Sequence, residues 1–367
     1  MNIKELLYRK APVGIKPNLS YLNYRFKSPF ELKKDFNMVK YLMQRQKKQI
    51  TYTPPMFVVS ISMKCNLRCP TCLYLLQSPD NLDDSGYINV DDFENMIGKY
   101  AHIVETCGLS GGEALLHPEL GKLLEITKKK NLPTSITTNG IAIKNRIDIL
   151  RSYDLESLSI SVDAYNYETF RMYRGGTKKQ FDSIVEGLSL LKTYNIDFIL
   201  SFLLTAQNVS EIGKMIEFAY KVSPKIASFY SINPHGDERY TPLTMGNEEC
   251  LQIMKGIISK TDYPFNIELP VIFDINSKCF KSAKCSLPWH CCTVGPNGNI
   301  APCCHLMHSE EYGNIFKGYD FNSDKMMGFR EIVMGEEPLG ACVYCYRRFM
   351  GDEFGTFDAK AQRWILR

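Results

Sequence analysis

Cys65, Cys69 and Cys72 stand in the run Met63-Lys64-Cys65-Asn66-Leu67-Arg68-Cys69-Pro70-Thr71-Cys72, a C-x3-C-x2-C triplet directly after an apolar, strand-like stretch. Thiolates are soft ligands suited to zinc and to iron–sulfur clusters. A structural zinc site is closed by four ligands, whereas a cubane cluster held by three cysteines leaves one iron open to bind something else. Three thiolates on one compact loop fit the second arrangement, and a zinc knuckle with a remote fourth ligand is the competing one. Burial of the cysteines as small apolar side chains explains the triplet poorly, because Asn66, Arg68, Pro70 and Thr71 make the loop polar rather than periodic.

A second set lies toward the C-terminus. Cys285-Ser286-Leu287-Pro288-Trp289 is followed by Gly295-Pro296-Asn297-Gly298-Asn299-Ile300-Ala301-Pro302-Cys303-Cys304, by Gly313-Asn314-Ile315, and by the C-x2-C knuckle Cys342-Val343-Tyr344-Cys345. The Asn297-Gly298 pair predicts a hairpin turn between strands, which brings Cys285 and Cys303 to the same neighbourhood. Four cysteines so arranged signal a metal site; taken alone they favour zinc, since zinc ribbons are common, with iron–sulfur sharing the geometry.

Together the two sets resemble the radical S-adenosylmethionine (SAM) enzymes, in which the open iron chelates the amino and carboxylate groups of SAM. The resemblance implies reductive cleavage of SAM to methionine and a 5′-deoxyadenosyl radical, with the cofactor carrying the chemistry and the protein aiming it. The Pro-Trp, the Asn-Gly hairpin and the Gly-Asn-Ile segment resemble the SPASM and twitch extensions of that family, which bind auxiliary 4Fe-4S clusters. The full SPASM form carries two such clusters and needs cysteines beyond the last C-x2-C. None follows Cys345, so the resemblance implies one auxiliary cluster on Cys285, Cys303, Cys342 and Cys345, with Cys291, Cys292 and Cys304 as spares and Cys279 less suited. It covers roughly residues 53 to 350. It departs at Thr71, where the family often has an aromatic residue near the SAM adenine; Tyr74 is the substitute.

The elements that must position these residues alternate from Met56 onward. Residues 56–63, 103–109, 134–138, 157–162, 198–204 and 227–232 read as strands, and 90–100, 118–130, 178–194, 209–222 and 248–260 as helices. Repeated βα units with right-handed crossovers build a parallel sheet, curved into a barrel or doubly wound. The resemblance sharpens this to an α/β fold: a partial (β/α)6 TIM-like barrel over residues 53–275, a small C-terminal SPASM/twitch cluster-binding domain over 276–367, and a basic arm over 1–52.

Loops that follow barrel strands gather at one end. Ser110-Gly111-Gly112-Glu113 follows the second strand, Asn139-Gly140 the third and Asp163 the fourth. Gly111 and Gly112 let backbone approach a ligand, and Glu113 accepts hydrogen bonds from an ammonium. Alone, Gly-Gly-Glu is an ordinary turn; one strand after the cysteine loop it resembles the family's SAM amino-group motif. The same resemblance makes Ser161 and Asp163 ribose contacts, adds Asn139, and lets Arg171 or Arg174 pair with the SAM carboxylate. Strand-end turns and a solvated helix end are the plainer alternatives. Cys107 and Cys250 suit packing, and His235 is at most a substrate contact.

At 367 residues the chain accommodates one large domain and a smaller one. Thirteen cysteines, no N-terminal signal pattern and no apolar run of bilayer length point to cluster or metal chemistry in a reducing cytoplasm rather than to disulfides. The net charge of +4 is uneven, for residues 1 to 50 hold twelve Lys or Arg against three Asp or Glu. Within them Leu32, Phe36, Val39 and Met43 recur at helical spacing, so 30–46 reads as a basic amphipathic helix. It either packs on the main domain with its lysines solvated or docks, peripherally, to an acidic membrane surface or acidic partner. No nucleic-acid motif accompanies it.

A fully ligated auxiliary cluster cannot bind SAM but can accept the electron left on a substrate radical once a proton is lost. The implied activity is an oxidoreductase acting on a peptide or small metabolite, served by a one-electron donor such as a flavodoxin or ferredoxin. In the sulfatase-maturing relatives a carboxylate after an auxiliary-cluster cysteine serves as base; here Cys304 and His305 follow Cys303, which makes His305 the base. The lack of a winged-helix-like domain at either end weighs against a leader-dependent peptide maturase. The alternatives are a membrane-surface enzyme modifying a lipid or lipid-linked sugar, and a non-catalytic electron carrier or zinc scaffold that binds no SAM.

Overall fold

Seven parallel strands carry the site: β1 (Met56–Ser62), β2 (Thr106–Gly111), β3 (Thr134–Thr138), β4 (Ser157–Ser161), β5 (Ile199–Leu204), β6 (Ile226–Ser231) and β7 (Asn266–Glu268), each beside the next. The computed structural model describes residues 32–77, 86–234, 239–244, 246–270, 272, 285–335, 342, 343, 345 and 356–365. His235, Cys279, residues 1–31 of the arm and the boundary at 275 lie outside them.

The strands are rich in β-branched and aromatic residues, and alternate side chains such as Phe57, Val59 and Ile61 are fully buried under the surrounding helices. Three of the helices begin where capping side chains satisfy their first amides. Asn89 accepts from Asp91 and Asp92, while Asn166 with Thr169 and Thr177 with Gln180 form reciprocal capping boxes. β2 starts at Thr106, three residues later than read from the sequence. The amides of Ile103 and Val104 still bond back to Tyr100 and belong to the end of the preceding helix.

The C-terminal segment extends this sheet. β8 (Cys291–Val294) lies parallel to β1 with Met56 opposite Cys291, and β9 (Asn299–Ala301) and β10 (Ser309–Asn314) continue antiparallel beyond it. β11 (Thr356–Asp358) and β12 (Arg363–Ile365) close the other edge against β7. The predicted hairpin at Asn297-Gly298 joins β8 to β9. Gly298 has φ +82°, and any side chain there would overlap the Phe316 ring.

The arm helix forms over Leu32–Gln44, but on the opposite face from the one its apolar spacing suggests. Asn37, Met38 and Tyr41 are buried, whereas Phe36 and Met43 are 63% and 71% exposed. Asn37 decides the orientation: its side chain donates to Thr53 O at 2.8 Å and Ile103 O at 3.1 Å and accepts from the Thr53 amide at 3.0 Å. Met38 and Tyr41 then close with Ile50 and Tyr52 over Trp289.

Candidate active site

The cysteine loop leaves the end of β1 and is shaped by its own backbone. The Leu67 amide donates to Cys65 Sγ at 3.4 Å, and the Cys72 amide to Cys69 O at 3.0 Å. Neighbouring elements fasten it from outside. Gln180 Nε2 donates to Asn66 O at 2.8 Å, and Asn139 Nδ2 donates to Asn66 Oδ1 at 2.7 Å while lying 3.9 Å from Cys65 Sγ. Asn139 Oδ1 accepts from the Ile141 amide, so one end of this side chain braces its own turn while the other fastens the cysteine loop. Gly111, at φ +122°, and Gly112 are required because a Cβ at either would overlap Ser62 or Met63 backbone. They admit the root of the cysteine loop, and both also line the strand-end cleft where a ligand is expected.

The strand-end loops surround a cleft of about 540 Å³, within the usual range for small-molecule sites. Cys65, Cys69 and Cys72 line it together with Gly111, Gly112, Glu113 and Asn139; Ser161, Asp163, Arg174 and His305 complete the wall. Tyr74 also lines it, its hydroxyl 3.3 Å from Ser60 Oγ. Arg171 is exposed on the helix exterior and does not line the cleft.

Glu113 is held rigidly: Oε1 accepts from the Leu115 amide at 2.9 Å and Thr138 Oγ1 at 2.6 Å, and Oε2 from the Asn139 amide at 2.7 Å. Burial is the largest influence on it and raises its pKa above the ordinary carboxylate value despite these bonds. An arriving cation would relieve that penalty. Asp163, at φ +54°, accepts from the Leu203 amide at 2.7 Å and from Arg174 Nη1 at 2.9 Å. Burial opposes the Arg174 charge, but Cys69 and Asp163 more than offset it and hold the pKa above the usual value. Its buried Nε has no hydrogen-bond partner, a donor in reserve for an anion.

A second cavity is lined by Cys285, Cys303, Cys342 and Cys345, drawn from three separate segments, with Leu287, Pro288, Leu306, Phe329 and Val333. The Leu287 amide donates to Cys285 Sγ at 3.3 Å and the His305 amide to the Cys303 sulfur. These repeat the two-residue spacing of Leu67 and Cys65. His305 lines both cavities. Cys291 and Cys292 are buried on β8 and do not line the second cavity; Cys304 is exposed and lines the first. Cys107 and Cys250 are buried, in β2 and at the start of Glu248–Ile258.

Sequence reasoning missed the residues that seat the cysteine loop. Gly175 has φ +66°, where a Cβ would lie 2.7 Å from Arg68 O, and a Cβ on Gly176 would overlap the Phe170 ring. The readable signal was Gly-Gly directly after Arg174 at a helix end.

Residues 59–219 match the family model of the Radical SAM superfamily. Over that segment the chain carries a radical SAM domain. It is 26% identical over 260 residues to the antilisterial bacteriocin subtilosin biosynthesis protein AlbA of Bacillus subtilis (strain 168), covering 70% of this chain and 56% of AlbA. With the AdoMet-dependent heme synthase of Methanosarcina barkeri (strain Fusaro / DSM 804) it shares 25% identity over 189 residues, 51% of this chain and 53% of that one. The chain therefore spans about half the length of these two relatives. The crystal structure of Streptococcus suis SuiB bound to precursor peptide SuiA matches with a TM-score of 0.60 at 17% identity, over 86% of this chain and 75% of SuiB. At that identity the fold is what is shared.

The superfamily's groups, a SAM-binding 4Fe-4S cluster and SAM with an auxiliary cluster, fit the residues present. Burial pushes Cys69 up to about 11 and Cys303 well above the usual thiol range, with neighbouring thiols adding to both. Such sulfurs become thiolates when a cation binds. Among the described residues no three His, Cys, Asp or Glu stand close enough to hold one metal ion, whereas the thiolates of a cubane bind separate irons and stand further apart. No helix among the described residues is long and apolar enough to cross a membrane.

Proposed function

We propose that this chain is a radical SAM oxidoreductase of peptides, with its SAM-binding cluster on Cys65, Cys69 and Cys72 and an auxiliary cluster on Cys285, Cys303, Cys342 and Cys345. When bound, the first cluster and SAM supply a 5′-deoxyadenosyl radical that takes a hydrogen atom from substrate, and the auxiliary cluster supplies an acceptor for the remaining electron. The observation that carries the reading is His305, the residue common to the walls of both cavities.

The chain's own residues do the positioning. Glu113, buried and fixed by three donors, takes the SAM ammonium; Arg174, anchored by Asp163, takes its carboxylate. Ser161 and Asp163, at the end of β4, face the ribose, and Tyr74 stands in for the missing aromatic at Thr71. His305 accepts the substrate proton as the radical is oxidised. A peptide is favoured over a small metabolite by the similarity to AlbA and by the fold shared with SuiB, whose structure holds a precursor peptide.

The test is anaerobic reconstitution followed by iron, sulfide and zinc analysis, then incubation with SAM, reductant and candidate peptides. About eight iron and eight sulfide per chain are expected, with 5′-deoxyadenosine formed and two hydrogens lost from the peptide. His305→Gln should slow peptide oxidation by about 100-fold while leaving 5′-deoxyadenosine formation in place. Zinc without sulfide after proper reconstitution overturns the reading.

A further inference from the structure

An electron accepted at the second cavity has to leave before another turnover, and the basic arm lies one residue layer away. Pro288 lines the cavity, while the adjoining Trp289 is fully buried among Met38, Tyr41, Ile50 and Tyr52 of the arm. Val333 lines the cavity and packs against that same arm cluster.

The contact is a fixed joint. Trp289 Nε1 donates to Lys47 O at 2.7 Å, the Tyr52 hydroxyl to Trp289 O at 3.1 Å, and the buried Arg330 guanidinium to Lys48 O at 3.1 Å. Asn322 pairs with both backbone groups of Ile50 at 2.8 Å. Tyr41 touches Tyr52 edge-on at 5.7 Å and His290 at 5.4 Å. Trp289, Tyr41, Tyr52 and His290 therefore sit together between the cavity-lining Pro288 and Val333 and the arm helix.

The outer side of the arm is built for a transient partner. Between residues 32 and 52 there are six Lys or Arg and one Asp; Lys33 and Lys47 are exposed, while Lys48 is paired with Glu331 at 2.7 Å and Lys34 is buried. Phe36 and Met43 are exposed among them. A small apolar patch in a basic field suits weak, electrostatically steered docking of an acidic protein. It suits a bilayer less, because Asn37 ties the helix's other face to Thr53 and Ile103 and the helix cannot roll to deepen its insertion.

We infer that the outer face of the arm helix docks an acidic flavin-bearing one-electron carrier that drains the auxiliary cluster through Trp289 and Tyr41. This rests on the auxiliary-cluster reading above. The reduced cluster loses one electron and returns to its oxidised state, and the oxidised flavin gains that electron and a proton from solvent to become the semiquinone.

The experiment mixes the reconstituted, reduced full chain with oxidised flavodoxin, following semiquinone by stopped-flow and, separately, complex affinity by calorimetry. The double variant Lys33→Glu/Lys47→Glu changes two exposed side chains outside the site. At low salt it should lower both affinity and second-order rate by about 10-fold or more, the difference collapsing at high salt, with iron content and 5′-deoxyadenosine yield unchanged. Unaltered affinity and rate with about eight iron bound overturn the docking alone. Loss of binding to phosphatidylglycerol vesicles with flavodoxin transfer intact also overturns it and assigns the face to a membrane. A chain that takes up only about four iron overturns the auxiliary-cluster reading and this step with it.

Discussion

The two cysteine sites are built in opposite ways. The first takes three sulfurs from one loop and opens onto a polar cleft; the second takes four from three segments and faces Leu287, Leu306, Phe329 and Val333. An open coordination position with charged neighbours invites a ligand, whereas a closed apolar set excludes one and holds charge. The same amide-to-sulfur spacing serves both, so the difference lies in what surrounds the sulfurs.

The sharpest way to break this contrast is to remove one sulfur at a time. Cys69→Ala should abolish 5′-deoxyadenosine formation and leave about four iron per chain, by chromatography and iron analysis. Cys345→Ala should also cost about four iron but leave SAM cleavage running while the oxidised product disappears. If both variants lose SAM cleavage equally, the division of labour is wrong.

How far the sequence disclosed these sites follows the same contrast. The first was legible because its ligands are neighbours in the chain and its other wall residues sit at predicted strand ends. The second was legible as a metal site from the Asn297-Gly298 hairpin and the Cys342/Cys345 knuckle, but zinc and iron–sulfur share that spacing and only the family resemblance chose between them. Two readings found the right residues without their protein partners. Gly111 and Gly112 line the cleft and also require close approach of the Ser62 and Met63 backbone. Leu32, Phe36, Val39 and Met43 do share a helical stripe in the sequence, yet Asn37 supplies bonds to two backbone segments and leaves Phe36 and Met43 facing outward. Periodicity reports that a stripe exists; partners distant in sequence decide which stripe is buried.

Smaller effects sharpen the comparison further. Arg174 and Asp163 are 14% and 10% exposed, so Arg174→Met strands a buried carboxylate. It should weaken SAM binding by about 10- to 100-fold and cost about 3 kcal/mol of stability, measured by equilibrium dialysis and by urea unfolding.

The second region should answer to acid. His308 packs against Gly295, its Nε2 has no hydrogen-bond partner, and burial lowers its pKa to about 4. The unfolded ring takes up a proton below about 6.5 and the folded ring only near 4, so stability falls as pH drops through that window. The expected loss is about 2 kcal/mol, less than full linkage because the ring is part-exposed. His308→Phe should flatten the profile when unfolding is followed by tryptophan fluorescence, to which the buried Trp289 contributes.

The Asn322 clamp on Ile50 joins residues 272 positions apart, and β1 is flanked by β2 on one side and the late strand β8 on the other. β1, the first strand among the described residues, therefore waits on the ribosome with one edge uncovered until residues 291–294 have emerged. The cysteine loop that follows β1 is complete early, so the order of synthesis makes its ligands available long before those of the second site.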